Sequence, residues 1–385
     1  MKMSRKTILV IIMLLTSLAG FSQISIRMFA RTRPSAFFLT VDRGVCLLHD
    51  DAAGEVRITT GEIVAVSLHD GRVIYRTLSG IMGAADSLAF TPVSAGTLVT
   101  LRAPDSDEPE KTLEGTLKVK PFPGSLLILN ITAVEACLPG IVRAEAGKYG
   151  PSDYYKAQAV VARTYIYRNI DRHQLDGYNM CDDIHCQVYP GVVTDSVIVN
   201  ACRSTAGRVI TDRDSLLIEA AFHGNCGGET ASSAEVWLAG YPYLVRVKDP
   251  WCSYSASYRW RKNIARTDWD SFLKSKGITP GSEGAIYSPQ EPERGRRATR
   301  TVQGKTVTSE EMRIRFGLRS AFFAITPAGD SIAFNGRGYG HGVGLCQDGA
   351  KHMAEKRMTY DQITGFYYPG TMIIDIKNAR MPPRP

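Results

Sequence analysis

The sequence has no run of about 20 apolar residues, the length that a helix needs to cross a bilayer. Its apolar run near the start, residues 7–21, falls short of that length. The sequence also has no internal repeat and no low-complexity block, and its charged (22%) and hydrophobic (44%) residues occur at ordinary globular levels. This composition excludes a disordered tail protein, a collagen-like chain and a simple coiled coil. With 385 residues, the chain has room for two or three domains.

Basic residues precede the apolar run, and small residues follow it. This order is typical of a secretory signal peptide. We expect residues 1–22 to direct export to the periplasm, the cell envelope or the exterior, and then to be cleaved. An uncleaved N-terminal anchor is the alternative. No cysteine directly follows the run, so we expect no lipid-modified terminus.

The net charge of +8 falls to +5 without residues 1–22. Such a mild positive charge favours an anionic polymer such as cell-wall glycan, or a membrane surface, as partner. The densest basic run lies among proline and glycine without interleaved aromatic residues, and it contains Arg294, Arg296, Arg297 and Arg300. We interpret this run as a solvated loop, and we expect no nucleic-acid partner.

The pattern of the first third predicts β structure. Short apolar segments separated by glycine and aspartate suggest strands at residues 36–41, 55–60, 61–68, 71–78 and 125–130. We therefore expect a β-rich N-terminal region over residues 23–115.

The character of the sequence changes near residue 130. Helical spacing at 134–142 is interrupted by Pro139-Gly140, residues 144–153 have loop composition, and a strong helix is expected over 154–173. Further on, we expect a helix at 267–277, a charged loop at 278–305, a hairpin at 320–333 and a disordered tail at 377–385. The predicted fold class is α+β: a β-rich N-terminal layer plus a mixed α/β domain with a substrate groove between the strong helix and glycine-rich loops.

Four side chains of the strong helix share one stripe at about 3.6 residues per turn: Lys156, Val160, Arg163 and Tyr167. Two cations beside a tyrosine suit polar sugar or carboxylate groups, and Gln158 and Tyr165 flank the stripe. We therefore consider these polar side chains candidates for substrate binding. A surface helix with merely solvated cations is the alternative.

Glu145 lies just before this helix, between apolar segments. Partial burial there would raise the pKa of its carboxyl group and let it act as a general acid near neutral pH. An ordinary surface glutamate is the alternative.

Two glycine-rich segments, HGNCGG (223–228) and GYGHGVGLCQDGA (338–350), combine glycine with polar side chains. Glycine lets a backbone approach a ligand closely, so these loops could form the wall of a groove in which Asn225, His341 and Gln347 bind substrate. Tight turns that pack on each other are the alternative. His223 and His341 lack the spacing of known zinc motifs.

The segment CDDIHCQVY contains three candidate metal ligands, Cys181, His185 and Cys186, and His173 is a candidate fourth. A disulfide from Cys181 or Cys186 is an equal contender in an exported protein, and a reactive thiol is a third alternative. The chain has eight cysteines, and sequence alone cannot choose among their pairings.

Taken together, these motifs resemble the SpoIID/LytB family of bacterial cell-wall proteins. The most specific is KAQAVVARTY (156–165), and the others follow in the family's order: CDDIHCQVYPG, FHGNCGGET, EVW, YPYLVRVKDPWC, GHGVGLCQDGA and YYPGT. The resemblance covers roughly residues 122–375, and we expect a SpoIID-like domain over 116–376.

The resemblance implies lytic transglycosylase activity on peptidoglycan glycan strands that lack stem peptides. It also implies that Glu145 is the catalytic acid and that Arg163 supports it. The sequence departs from the family pattern around the glutamate, where it has Arg143 and Ala146-Gly147. Some relatives bind zinc near the Cys/His segment and others do not, so we expect no required cofactor, with zinc as an option.

Three functions are therefore considered. The first is a lytic transglycosylase. The second is a non-catalytic wall-binding modifier, or enhancer, of a partner amidase. The third is an assembly protein of the envelope whose working face is the β-rich N-terminal region.

Overall fold

A computed structural model describes residues 23–50, 54–237, 239–287 and 295–382. The signal peptide expected at residues 1–22 lies outside this range. The chain divides into two compact units, the first running to Lys148 and including Ile166–Ala206, the second comprising Tyr149–Tyr165 and the chain from Gly207 onward. Within the described ranges, no helix combines the length and the apolar character that a membrane crossing requires.

Two antiparallel layers form most of the first unit. Their strands are β1 (Gln23–Met28), β2 (Ala36–Arg43), β3 (Val45–Asp50), β4 (Gly54–Thr59), β5 (Ile63–His69), β6 (Arg72–Thr77), β7 (Met82–Ala85), β8 (Leu88–Pro92), β9 (Leu98–Arg102), β10 (Lys111–Leu113), β11 (Thr116–Phe122), β12 (Ser125–Ala133) and the short β13 (Met180–Cys181). One sheet has the order β13-β1-β12-β11-β8-β3-β4 and the other the order β10-β9-β2-β5-β6-β7, and β13 is parallel to β1.

Alternation of side chains explains these strands. In β2, for example, Phe37, Leu39 and Val41 are buried and their neighbours are more exposed, as a period of two requires. The β-rich prediction for the first third is confirmed. The boundary expected between residues 115 and 116 falls inside the first unit, because β11 pairs with β8 as well as with β12.

Helices α1 (Val134–Ala146) and α3 (Ser196–Ser204) pack on each other in the first unit. The sequence suggested an interruption at Pro139-Gly140, and this expectation is wrong, because α1 is continuous across both residues. The loop expected over 144–153 is present but shorter, since α1 continues to Ala146 and the next helix begins at Ser152. A Cβ at Gly140 would collide with the carbonyl oxygen of Gly191, so this glycine permits a close backbone contact and does not end the helix.

The strong helix, α2 (Ser152–Arg168), is confirmed but ends five residues earlier than expected. The second unit otherwise contains short strands: β14 (Arg208–Thr211), β15 (Phe222–His223), β16 (Arg259–Ala265), β17 (Thr299–Val302), β18 (Lys305–Thr308), β19 (Phe323–Ala328), β20 (Ser331–Arg337), β21 (Leu345–Cys346) and β22 (Met372–Asp375). Its further helices are α4 (Ser233–Val236), α5 (Arg266–Ser275), α6 (Ser309–Phe316), α7 (Gln347–Glu355) and α8 (Tyr360–Tyr367).

The second unit has its own apolar core, in which Trp269 and Phe316 pack against Phe334 of the sheet β16-β20-β19. The expected hairpin is confirmed as β19 and β20, and the expected helix as α5. Together the two units confirm the α+β fold class.

Two expectations for this unit need correction. The charged loop expected over 278–305 contains β17, which forms a hairpin with β18. The tail expected to be disordered from residue 377 is ordered at Arg380, whose backbone accepts a hydrogen bond from Leu217 and donates one to Ser215. The remaining residues, 383–385, lie outside the described ranges.

The basic run is also not a solvated loop throughout. Arg300 is buried, and its guanidinium donates to Ser309 Oγ (2.6 Å) and to the carbonyl of Phe323 (3.2 Å). Arg296 is half-buried and donates to the carbonyls of Cys226 and Glu229. These arginines bind backbone carbonyls, which a sequence pattern does not reveal. Arg294 lies outside the described ranges.

Candidate functional site

Glu145 occupies the last turn of α1, one residue before the helix ends at Ala146. The next residue, Gly147, has a φ of 70°, a conformation that glycine adopts easily and that ends the helix there. The carboxyl group is half-buried, and its Oε1 accepts a hydrogen bond from the backbone N–H of Val188 at 3.0 Å.

Burial raises the pKa of Glu145 above its ordinary value, because an ionised carboxylate loses hydration there. The Val188 N–H acts in the opposite direction by stabilising the carboxylate. Partial burial and a raised pKa confirm what the sequence predicts for this side chain, and the catalytic role itself stays a prediction.

Val188 belongs to the segment Cys181–Tyr189, called here the cysteine loop. Its beginning is fixed in the first unit by Asp182, which accepts hydrogen bonds from the backbone N–H groups of Phe29 (2.7 Å) and Ala30 (3.0 Å). Lys111 Nζ lies 2.8 Å from the same carboxylate. These buried contacts hold the loop whose N–H binds Glu145.

The cysteine loop brings together the metal ligands that the sequence suggests. The ligand atoms of His173, Cys181, His185 and Cys186 all lie within 4.8 Å of one another. Cys186 Sγ is 3.4 Å from His173 Nε2 and 3.7 Å from His185 Nδ1. Two sulfur and two imidazole ligands are a set that zinc binds in structural sites, so the donors fit this metal.

The two thiols of this cluster also face each other. A hydrogen bond from Cys186 lowers the pKa of Cys181 to about 5. The disulfide alternative therefore stays open for this pair, since the same proximity serves either chemistry.

Gln187 is a candidate that the sequence reasoning missed. It is buried next to Val188, and neither of its amide atoms makes a hydrogen bond within the described ranges. Buried amides normally have partners, so such an exception calls for an explanation, and a bound ligand is one. The signal was its position within the CDDIHCQVY motif, which drew attention only to its cysteines and histidine.

In the second unit, α2 carries most of the predicted stripe. Arg163 is fully buried, and its Nη1 donates to the carbonyl of Arg208 at 3.1 Å. The next residue, Thr164, accepts a hydrogen bond from the N–H of Ile210. The alternative of merely solvated cations is therefore wrong for Arg163, which fastens α2 to β14. Its supporting catalytic role stays a prediction.

The other predicted side chains of α2 differ in exposure. Lys156 is partly exposed, with Nζ 3.5 Å from Asp153 Oδ1. Gln158 is fully buried, and its amide atoms, like those of Gln187, make no hydrogen bond among the described residues. Tyr165 is half-buried, and Tyr167 is buried and belongs to the first unit.

The two glycine-rich segments lie side by side in the second unit. β15 pairs in parallel with β21, and Asn225 forms a bridge with Tyr339. The turns therefore pack on each other, as one of the two alternatives predicts. They also border open space, because Gly227 and Gly228 line a cavity of about 470 Å³ together with Lys248, Tyr258 and Arg337.

Asn225 uses its amide mainly inside the protein. Nδ2 donates to the carbonyl of Cys252 (3.1 Å) and to Asp348 (2.9 Å), and Oδ1 accepts from the N–H of Gly227. Its side chain is fully buried. Asn225 therefore stabilises the HGNCGG turn. These contacts do not support the predicted role of Asn225 in substrate binding.

His341 packs edge-on against His223 with ring centroids 5.5 Å apart, and its Nδ1 accepts the N–H of Val343. Burial lowers the pKa of His341 to about 4, so its ring is neutral at physiological pH. Neither histidine belongs to the metal-capable clusters found in the described part of the chain. Gln347 is half-buried at the first position of α7.

Comparison with known proteins identifies the family. The family model described as "Stage II sporulation protein" (SpoIID) matches residues 123–211. Stage II sporulation protein D of Bacillus subtilis (strain 168) is 32% identical over 256 residues, which cover 62% of this chain and 74% of the relative. Stage II sporulation protein D of Bacillus amyloliquefaciens is 29% identical over 263 residues, covering 64% of this chain and 74% of the relative.

A third relative has a different name. The amidase enhancer of Bacillus subtilis (strain 168) is 27% identical over 288 residues, or 61% of this chain and 40% of that protein. The α+β fold and these matches define the class, and the chain belongs to the SpoIID family.

Proposed function

We propose that this protein is a lytic transglycosylase of peptidoglycan and that Glu145 is its acid and base. Membership of the SpoIID family supports a cell-wall related role. The observation that carries the finer proposal is the half-buried carboxyl at the end of α1, whose pKa burial raises. A raised pKa favours the protonated form of the carboxyl group, which can donate its proton to a substrate.

The reaction consists of two proton transfers. Glu145 first donates a proton to the glycosidic oxygen between N-acetylmuramic acid and N-acetylglucosamine, and the C1–O bond breaks. Its carboxylate then takes the proton from the C6 hydroxyl of the muramic residue, whose oxygen bonds to C1 and closes a 1,6-anhydro ring. Attack within one sugar gains from proximity and needs no second carboxylate, unlike ordinary glycoside hydrolysis.

The hydrogen bond from Val188 suits a group that must change its charge. Burial favours the protonated form of Glu145, which the first transfer needs. The N–H of Val188 favours the carboxylate, which the second transfer needs. Because these effects oppose each other, Glu145 can change between its protonated and its ionised form during the reaction.

The buried glutamines are proposed to bind the glycan. Gln158 and Gln187 have amide donors and acceptors that make no hydrogen bond within the described ranges. Hydroxyl and acetamido groups of the glycan offer matching partners. We propose further contacts with the glycan from Lys156, Arg163, Tyr165 and Tyr167 of α2.

Zinc is proposed at His173, Cys181, His185 and Cys186. Four protein ligands leave no open coordination position, so the ion would stabilise structure and not take part in the cut. It would fix the cysteine loop, and through it the Val188 N–H that binds Glu145. Export through residues 1–22 is likewise proposed, because the substrate lies outside the cytoplasm.

The proposal is tested by digesting peptide-free glycan strands with the wild type, Glu145→Gln and Glu135→Gln, followed by mass spectrometry. Glu135 is the matched control, because it is an exposed acid in the first turn of the same helix. We expect 1,6-anhydromuramic ends from the wild type and from Glu135→Gln, and none from Glu145→Gln. Equal product from all three would contradict the role of Glu145.

Stimulation of a cell-wall amidase is the second candidate, and the relative named amidase enhancer favours it. In this case Glu145→Gln would leave the effect on a partner amidase unchanged, and no glycan would be cut by the wild type. The same three proteins, assayed with a purified amidase on intact peptidoglycan, separate the two functions.

A further inference from the structure

Three cysteines that the proposed reaction does not use meet in the second unit. Cys226 lies in the HGNCGG turn, Cys252 follows Asp249 by three residues, and Cys346 precedes α7. The ligand atoms of these four side chains all lie within 4.8 Å of one another, and no side chain among them is more than 1% exposed. We call this group the three-cysteine cluster.

The distances in this cluster resemble those between the ligands of one metal ion. Cys226 Sγ is 3.4 Å from Cys252 Sγ and 3.1 Å from Asp249 Oδ2. Tetrahedral zinc, with Zn–S of about 2.3 Å and Zn–O of about 2.1 Å, separates two sulfur ligands by about 3.8 Å and a sulfur from an oxygen by about 3.6 Å. Shifts of a few tenths of an ångström therefore suffice.

Two backbone N–H groups donate to one sulfur atom of the cluster. Cys346 Sγ accepts hydrogen bonds from the N–H groups of Cys226 (3.2 Å) and Gly349 (3.4 Å). Such donors stabilise a thiolate, and thiolates are the form in which cysteine binds metals.

The carboxylate is held in place as outer contacts hold a metal ligand. Asp249 Oδ2 accepts a hydrogen bond from the hydroxyl of Tyr367 (2.9 Å), and Oδ1 accepts one from the N–H of Trp251 (2.8 Å). A Cβ at Gly349 would collide with Tyr367 Oη and crowd Asp249 Oδ2, so glycine is needed for this packing. Partners of this kind orient metal ligands in known sites.

We propose that Cys226, Asp249, Cys252 and Cys346 bind one zinc ion. Three cysteine sulfurs and one carboxylate are ligands that zinc binds, and their ligand atoms already lie within 4.8 Å of one another. A disulfide between Cys226 and Cys252 would use two sulfur atoms. It would leave Cys346 and the Asp249 carboxylate outside the bond, whereas one metal ion would use all four ligand atoms.

The ion is structural, since four protein ligands complete a tetrahedral shell in a fully buried position. It joins the HGNCGG turn, the turn at 249–252 and the start of α7, three segments far apart in the sequence. This site is separate from the proposed zinc at the cysteine loop, with which it shares no residue.

The test counts zinc in the full chain with the other cluster removed. The double variant Cys181→Ser/Cys186→Ser keeps the three-cysteine cluster intact, and inductively coupled plasma mass spectrometry should find about one zinc ion per chain. Adding Asp249→Asn or Cys346→Ser should remove that zinc. Adding Cys46→Ala, a buried cysteine outside both clusters, should retain it.

Substituting a ligand can remove zinc simply because the variant misfolds, so a second set of measurements uses the double variant with its three-cysteine cluster intact. After zinc is replaced by cobalt, thiolate-to-cobalt charge-transfer bands should appear. Cys226, Cys252 and Cys346 should resist alkylation until a chelator is added, as peptide mass spectrometry can show. Absence of bound metal, or a Cys226–Cys252 disulfide in non-reducing peptide maps, would overturn the proposal. Zinc content does not depend on glycan cleavage, so this test stands apart from that of the proposed function.

Discussion

The backbone N–H of Val188 donates a hydrogen bond to Oε1 of Glu145 at 3.0 Å. This contact joins the last turn of α1 to the cysteine loop, although the two residues are 43 positions apart. The acid at the centre of the proposed mechanism therefore depends on a loop that Asp182, and in our proposal a zinc ion, hold in place.

The raised pKa of Glu145 predicts the pH dependence of the reaction. Activity needs the protonated acid, so kcat should fall with rising pH along a basic limb that lies above the usual range of a glutamate, about 4.3. The measurement is a pH profile of anhydromuramic product release. A basic limb at the value of an exposed carboxylate would contradict the assigned role.

The raised pKa of Glu145 also makes the free energy of unfolding depend on pH. Because the pKa in the folded state is raised, the stabilising contribution of Glu145 is present below its unfolded pKa and is lost as pH rises through the folded pKa. Glu145→Gln should therefore gain stability relative to the wild type as pH rises through this window. Urea unfolding at several pH values measures the difference, and a difference that does not change with pH would contradict this prediction.

Gln187→Leu separates a binding role from a structural one. The buried amide makes no hydrogen bond within the described ranges, so an apolar side chain of similar size should leave the free energy of unfolding unchanged or raise it by about 1 kcal/mol. If Gln187 binds the glycan, KM should rise in the same variant. A loss of stability together with an unchanged KM would assign the residue to the core.

The cysteine loop should respond to loss of its metal ligands. Cys181→Ser/Cys186→Ser should lose one zinc ion per chain. Hydrogen exchange at the amide of Val188 should become faster, because the ion no longer holds the cysteine loop. Cys46→Ala is the control, since that buried thiol lies in β3. A Cys181–Cys186 disulfide in the purified wild type would contradict zinc binding at the cysteine loop.

Gly140→Ala tests the contact that lets α1 reach Glu145 unbroken. The added Cβ would collide with the carbonyl oxygen of Gly191, and the strain should cost about 1–3 kcal/mol in the free energy of unfolding. Gly365→Ala in α8 is the matched control, because nothing lies within 4 Å of its added Cβ. Denaturant unfolding of both variants measures the difference, and equal stability would show that α1 tolerates the clash.

Local patterns predicted much of the fold. Alternating residues indicated β2 and its neighbours, and the turn at 328–330 indicated the hairpin of β19 and β20. The course of α1 was missed, because Pro139-Gly140 has the composition of a helix end, and only the close approach of Gly191 shows why a glycine lies there. A contact between distant segments leaves no trace in local composition.

The sites, like the fold, were predictable where their residues are close in sequence and not where distant segments meet. The sequence offered His173 as a candidate fourth ligand, and the structure brings it together with Cys181. The three-cysteine cluster was not foreseen, since Cys226 and Cys346 are 120 residues apart and meet only through the pairing of β15 with β21. Arg296 and Arg300 were misinterpreted because their carbonyl acceptors are backbone atoms.

The central claim is that Glu145 transfers both protons and that no water attacks the sugar. Digestion of peptide-free glycan in ¹⁸O-labelled water tests it most directly, because hydrolysis places a water oxygen on the new muramic end and ring closure does not. We predict unlabelled 1,6-anhydromuramic ends from the wild type and no cleavage by Glu145→Gln. Labelled reducing ends from the wild type, or unlabelled anhydro ends from Glu145→Gln, would contradict the account.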